Sequence, residues 1–452
     1  MTGVGRAHYG KGPPATNGSN TVQRCTLRAS KGQYREATEM KNATSKSKPT
    51  AKRAPCGPLL GVKVLDISTV VAAPFAAGLL ADYGADVIKV EVPGAGDHIR
   101  HMPPHKEGIS LWSKVTNRNK KGITLDLRTE EGKEIFEHLL ASQDVLVENF
   151  RPDTLERWGF GKDRLFEINP HLIILRITGF GQTGPYRGRP GFARIFESMS
   201  GFAYLCGRPD GPPMFSGYPV SDALAGVFGA LSVSAALVHR NAAPGRPGQE
   251  IDLSATEAMF RALDFLAVEY DQLGVVRERT GNLNAYSSPS DVYSTRDGKW
   301  IALAVSAPPV FARFAKALNR QDLLVDPRFN TNVARLENRG EIETIVRQWF
   351  IERTEVEISS ILTEHDVSFS RVNSIEDVFN DVHFKAREAI VSVEDSDFGS
   401  IHMQNVVPRF SATPGCVWRS GPGQGEHNDE ILTQQVGLTP DKIAELKMKN
   451  VI

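Results

Sequence analysis

The sequence predicts an α/β fold, with a mostly parallel sheet in a large domain and a smaller α/β domain after it. Three observations carry this. Short apolar runs alternate with helical segments from Gly61 onward, the composition changes after about Ala285, and 452 residues with 40% hydrophobic content suffice for more than one core.

The elements follow in order. Residues 1–57 carry eleven Lys/Arg against two Glu, are rich in Ser, Thr, Gly and Pro, and show no apolar period. They are set apart from the fold as a disordered basic segment or a mitochondrial transit peptide, with a cytoplasmic chain as the alternative. Val62 to Ile67, Pro74 to Tyr83 and Val87 to Val92 form a βαβ unit, with Gly84 stopping the helix. Thr129 is placed to cap a helix with Glu130 and Glu131 in its first turn and Ile135, Phe136, Leu139 and Leu140 on one face. Val145 to Phe150 and Leu172 to Ile177 are further buried strands, separated by a short helix near Lys162 to Glu167. Strands alternating with helices make this a Rossmann-like sheet, whose ligands bind beyond the carboxyl ends of the strands. Beyond Ala285, a strand at Trp300 to Val305 and amphipathic helices near Pro308 to Leu318 and Glu341 to Trp349 mark the smaller domain. The division is 1–57, a large domain 58–284, a small domain 285–400 and a closing segment 401–452.

Composition excludes several classes of function. Lys+Arg and Asp+Glu both number 53, so the formal charge of +0 gives no electrostatic case for nucleic acid. Cys25, Cys56, Cys206 and Cys416 stand far apart without Cys-x-x-Cys spacing, which argues against a zinc site and against a secreted disulfide framework; no metal is expected, and a reducing compartment fits. The apolar stretch Ala223 to Val238 is shorter than a membrane span and reads as a core helix. Between Asp66 and Phe75 there is no G-x-G-x-x-G, and the chain has no Walker loop and no Gly-x-Ser-x-Gly elbow.

The residue that draws attention is Asp222, at the start of that apolar helix. An Asp directly before an apolar run most often caps the helix by accepting backbone N–H bonds. A helix start also favours negative charge, so the same Asp222 is expected to be ionised near neutrality and available as a nucleophile.

Nine ordered stretches resemble the family III CoA-transferases, which include formyl-CoA transferase, carnitine CoA-transferase and the α-methylacyl-CoA racemases. They are VLDISTVVAAP (64–74), GADVIKVE (84–91), GAGD (94–97), NRNKK (117–121), VENF (147–150), TGFGQTGP (178–185), GPPMFSGYPVSD (211–222), RPGQEID (246–252) and GEHNDEIL (425–432). The resemblance implies that Asp222 attacks an acyl-CoA thioester and carries CoA as an aspartyl thioester to a second carboxylic acid, expected to be a dicarboxylic one. CoA is then a substrate and no cofactor is tightly bound. It further implies CoA contacts at Val71, Ala72, Leu125, Asp126, Leu127, Arg128, Asn149, Phe150, Arg151 and Arg157, with Arg128 and Arg157 as phosphate candidates, and an interlocked homodimer. Departures from the family pattern are Val71, where formyl-CoA transferase has Gln; Phe192, where racemases need an acid/base His; and Ala193, where many relatives have Asp. Phe192 cannot shuttle a proton, so transfer is favoured over the alternatives, racemisation or CoA binding without catalysis.

Overall fold

A computed structural model describes residues 54–452. The basic segment set apart above lies almost wholly outside them. The large sheet starts with β1 (Lys63–Asp66), crosses through α1 (Ala72–Asp82) to β2 (Asp86–Glu91), and continues past a small hairpin, β3 (His105–Lys106) and β4 (Ile109–Ser110), and α2 (Leu111–Thr116) to β5 (Lys120–Thr124). Then follow α3 (Glu130–Leu140), β6 (Val145–Glu148), α4 (Thr154–Arg157), α5 (Lys162–Ile168), β7 (Ile173–Thr178), α6 (Ala193–Met199), α7 (Phe202–Leu205), α8 (Val220–Asn241), β8 (Gln249–Ser254), α9 (Ala255–Arg261) and α10 (Leu266–Leu273). The strand order is β5-β2-β1-β6-β7-β8, with every pair parallel.

Helices cover both faces of this sheet, which explains why its strands read as apolar runs instead of alternating. On one face Leu65, Ile88, Ile123 and Leu146 pack under α3, whose first turn is closed by Thr129 accepting from the Gly132 N–H at 3.1 Å. On the other, Val64, Val87, Val145 and Ile173 pack under α1 and α8.

The smaller unit is a three-stranded antiparallel sheet, β9 (Ser290–Ser294), β10 (Trp300–Ala304) and β11 (Phe369–Arg371), in the order β11-β10-β9. The helices Pro308–Ala317 and Arg339–Ile351 supply Phe311, Phe314, Trp349 and Phe350 to its core. A hairpin, β12 (Ile390–Asp395) and β13 (Gly399–Gln404), precedes the return of the chain to the large sheet. There Asn428 Oδ1 accepts from the Thr124 N–H at 2.8 Å, and Ile431, Leu432, Ile443 and Leu446 join the core beneath β5 and α3.

Two expectations are corrected. Cys56 and Cys416 are joined as a disulfide, their Cα atoms 5.9 Å apart and 360 residues apart in sequence. The pair is made by the returning chain, so spacing along the sequence could not show it. The apolar helix α8 runs 22 residues, long and apolar enough to cross a membrane, and is not the shorter stretch expected. It packs instead against α1 and the sheet through Ala225, Gly229, Val233 and Leu237.

Candidate active site

The strand order reverses between β1 and β6: α1 leads from β1 to β2 on one side, while β6 is followed by β7 on the other. Loops leaving the carboxyl ends of two such strands diverge and open a crevice, the usual ligand site of this architecture. Here the two loops are tied together. Asn149 Oδ1 accepts from the Thr69 N–H at 2.7 Å and Asn149 Nδ2 donates to the Thr69 carbonyl at 2.7 Å. The next residue, Val70, is held at φ 68°, a left-handed conformation that a β-branched side chain resists. Its N–H is fixed by Asp97 Oδ1 at 2.9 Å, and Asp97 Oδ2 is 3.0 Å from Lys89 Nζ. Beneath them Lys120 Nζ bonds Asp66 Oδ2 at 2.8 Å and the Pro74 carbonyl at 2.7 Å. Burial alone would raise the Asp66 and Asp97 carboxyls, but Lys120 and Lys89 outweigh it and hold both below the usual carboxylate range. This charged cluster fixes the path from Ser68 to Pro74, and with it the N-terminus of α1. No side chain caps that helix, and the Ala72 and Ala73 N–H groups have no acceptor among the described residues.

Asp222 reaches this crevice because α8 can approach α1 closely. A Cβ on Gly226 would lie 2.9 Å from the Ala72 carbonyl oxygen and 2.7 Å from Phe75 Cδ1, and one on Gly229 would lie 3.0 Å from Ile177 Cδ1. The capping role expected for Asp222 is not what the structure shows. The helix starts two residues earlier, with Pro219 at its cap and no side-chain cap bond, so Asp222 faces outward from the first turn. Ser221, fully buried, anchors that turn by donating from Oγ to the Ala193 carbonyl at 3.0 Å. Asp222 itself has neither a hydrogen bond nor an ion pair among the described residues. Burial first, and then the charge of nearby Glu197, push its carboxyl up to about 6, above the ordinary carboxylate range. It is still mainly ionised at neutral pH, as a carboxylate without a directly bonded cation among the described residues.

Asp222 lines a cavity of about 200 Å³ together with Val71, Ala72, Asn149, Phe150 and Arg151. A second cavity of about 130 Å³ is lined by Leu125, Asp126, Leu127, Arg128 and Trp158, and Thr69 and Phe150 line both. Nine of the ten positions singled out for CoA thus fall on two adjoining cavities. Arg157 does not: it is exposed on α4, lines neither, and donates to Thr154 Oγ1 at 2.8 Å. Arg128 forms a bidentate pair with Asp126 at 2.8 and 2.7 Å, an exposed pair of small net worth that a phosphate could displace. Asn149 lines the cavity and, through its two bonds to Thr69, also clips the loops together. Phe192 is 72% exposed at the cavity margin and Ala193 is buried behind it.

Sequence reading missed Glu197, buried on α6 and accepting from the Ser221 N–H at 3.4 Å, because its acidity resembles that of any helix Glu. It also missed Arg187 and Arg189, which line the Asp222 cavity from the loop after β7. The only local signal there was two cations in a short Gly- and Pro-rich loop.

Fold and site together define a doubly wound α/β protein with an unpaired carboxylate at its switch-point crevice. Residues 59–428 match CoA-transferase family III, and the chain belongs to that family: it is a CoA-transferase. It is 43% identical over 403 residues to succinyl-CoA–D-citramalate CoA-transferase of Chloroflexus aurantiacus, covering 89% of this chain and 100% of that protein. It is 31% identical to succinyl-CoA:glutarate CoA-transferase of Mus musculus, over 87% of this chain and 90% of that one. Among solved structures, a CAIB/BAIF family protein from Brucella suis superposes with a TM-score of 0.76 at 31% identity, covering 84% of this chain and all of that one.

Proposed function

We propose that this transferase moves CoA from a dicarboxyl-CoA such as succinyl-CoA to a second dicarboxylic acid, with Asp222 as the covalent carrier. The observation that supports it is the half-buried Asp222 carboxylate, without a partner, beside the uncapped start of α1. The named substrates of the relatives support the substrate class.

The reaction balances without an external base. A carboxylate oxygen of Asp222 attacks the thioester carbonyl, the C–S bond breaks, and CoA leaves as thiolate from a mixed anhydride. The thiolate attacks the Asp222 acyl carbon and releases the donor acid, leaving CoA on Asp222 as a thioester. The acceptor carboxylate attacks that thioester, giving a second anhydride and thiolate. Attack of the thiolate on the acceptor acyl carbon then restores the Asp222 carboxylate. Each step exchanges one acyl bond for another and needs no proton, so the absence of a His among the described residues lining the cavity is no obstacle. The free Ala72 and Ala73 N–H groups suit the oxyanion that forms at each attack. In this reading the nucleotide end of CoA lies in the cavity of Leu125 to Arg128, its pantetheine arm passes Phe150 and Thr69, and its sulfur meets Asp222. No resident cofactor is required.

The working unit in this proposal is a homodimer, supported by the apolar residues that successive helices leave exposed, among them Leu231, Val238, Phe260, Val268 and Leu273. The basic, acid-poor segment 1–57 would direct the chain to mitochondria.

Asp222→Asn tests the carrier. Transfer from succinyl-CoA should fall by more than about 10³-fold while the fold is retained. Near-normal exchange by that variant would exclude Asp222.

A further inference from the structure

Three arginines line the Asp222 cavity, and they are not equivalent. Arg187 is already bonded to Asp153, at 2.8 and 3.2 Å. Arg151 lies on the loop after β6, next to Phe150, which faces the nucleotide groove. Arg189 is on the loop after β7, across β6 from the loop that bears Val71. Its guanidinium stacks on Tyr186, 3.6 Å from the ring centroid, and makes no ion pair or side-chain hydrogen bond among the described residues. Stacking fixes the plane of the group while leaving its N–H edge open, the arrangement that suits bidentate binding of a carboxylate.

A dicarboxylic acid creates a need for such a group. One of its carboxylates reacts at Asp222; the other keeps its charge inside a partly closed cavity. An unpaired charge there is costly, and an oriented cation offsets it. We infer that Arg189 binds the carboxylate of the acid substrate that does not react, and so sets the preference for dicarboxylic over monocarboxylic acids. The inference rests on the transferase reading of this cavity and adds to it the residue that selects the acid.

The test uses the full-length protein with succinyl-CoA as donor and matched acceptors, glutarate against pentanoate and adipate against hexanoate. Transfer through a covalent carrier separates the two half-reactions, so kcat/KM for the acceptor reports only its capture of CoA from the enzyme. In wild-type protein the dicarboxylate should be preferred. Arg189→Gln should lower the dicarboxylate-to-monocarboxylate ratio by about 10- to 100-fold, the worth of a charge-assisted bidentate pair, with the monocarboxylate values nearly unchanged. Arg189→Lys should keep part of the preference. Absence of a preference in the wild type, an unchanged ratio in Arg189→Gln, or an equal loss on both acid classes would overturn the inference. Failure of the wild type to pass CoA to any of the four acids would count instead against the function proposed above.

Discussion

The two walls of the Asp222 cavity are built differently. The loops after β1 and β6 are tied by two Asn149–Thr69 bonds of 2.7 Å each, fixed by Asp97 at Val70, and seated on buried Lys89, Lys120 and Asp66. The loop after β7 is exposed throughout residues 183–190 and is held by few contacts, chiefly Asp252 on the Gln182 N–H at 2.9 Å and the Arg187–Asp153 pair. The first wall stores backbone strain at Val70, and such strain persists only where the surroundings over-determine it. The second stores none at a non-glycine residue. Transfer chemistry needs the thioester and the nucleophile held to a fraction of an ångström, whereas choice of acid needs only a well-placed charge. Under the function proposed above, a rigid wall for the reaction beside an adaptable wall for the acid would let one scaffold serve different acids.

With the Asp222 carboxylate left in place, the largest expected effect on donor turnover comes from unfastening the rigid wall. Asn149→Ala removes both bonds to Thr69, frees the strained turn, and should lower kcat/KM for acyl-CoA by about 10²-fold. Steady-state kinetics with the donor varied would check it; a loss smaller than that of Arg189→Gln would reverse the roles assigned to the walls.

Next in size is the stability held in reserve at Asp222. Its folded carboxyl stands at about 6, above the ordinary 3.8. Ionisation therefore costs stability progressively between those values, and the cost is fully present above the folded one. Asp222→Asn removes it, and should stabilise the protein by about 1 to 3 kcal/mol at pH 8. The gain should disappear below about pH 4, where the wild-type carboxyl is protonated in both states. Denaturant unfolding at the two pH values measures this. The same titration places an acid limb near pH 6 on wild-type transfer, since the protonated carboxyl cannot attack.

The smallest effect is expected at Phe192, on the adaptable wall. Phe192→His should leave transfer within about threefold and produce no measurable α-proton exchange in solvent deuterium, because nothing in the pocket orients an imidazole. Rapid exchange by that variant would show that this wall is more ordered than its contacts indicate.

The sequence made the scaffold legible to the extent that local periods encode it. The strands through Val64, Val87, Val145 and Ile173 are continuous apolar runs because both faces of the sheet are covered, and Thr129 announces its helix by chemistry. The large unit's order of elements could be read from such signals, and the ordered motifs pointed to the family. What could not be read depends on contacts between distant segments. The clip from Asn149 to Thr69 spans 80 residues, and the Cys56–Cys416 pair spans 360. The helix starts at Val220, with Pro219 at its cap, a position without the side-chain cap that Asp222 offered. The raised Asp222 carboxyl depends on burial and on Glu197, neither of which has a sequence signature. Arg157 was carried over by resemblance, but the exposed end of α4 places it on neither cavity.

The most direct measurement is the intact mass of the protein after brief exposure to succinyl-CoA without an acceptor. The account predicts a gain equal to CoA less water, which hydroxylamine discharges and peptide mapping assigns to Asp222, and which is absent in Asp222→Asn. Wild-type turnover with no adduct on the Asp222 peptide, or an undiminished adduct in the Asn variant, would contradict it.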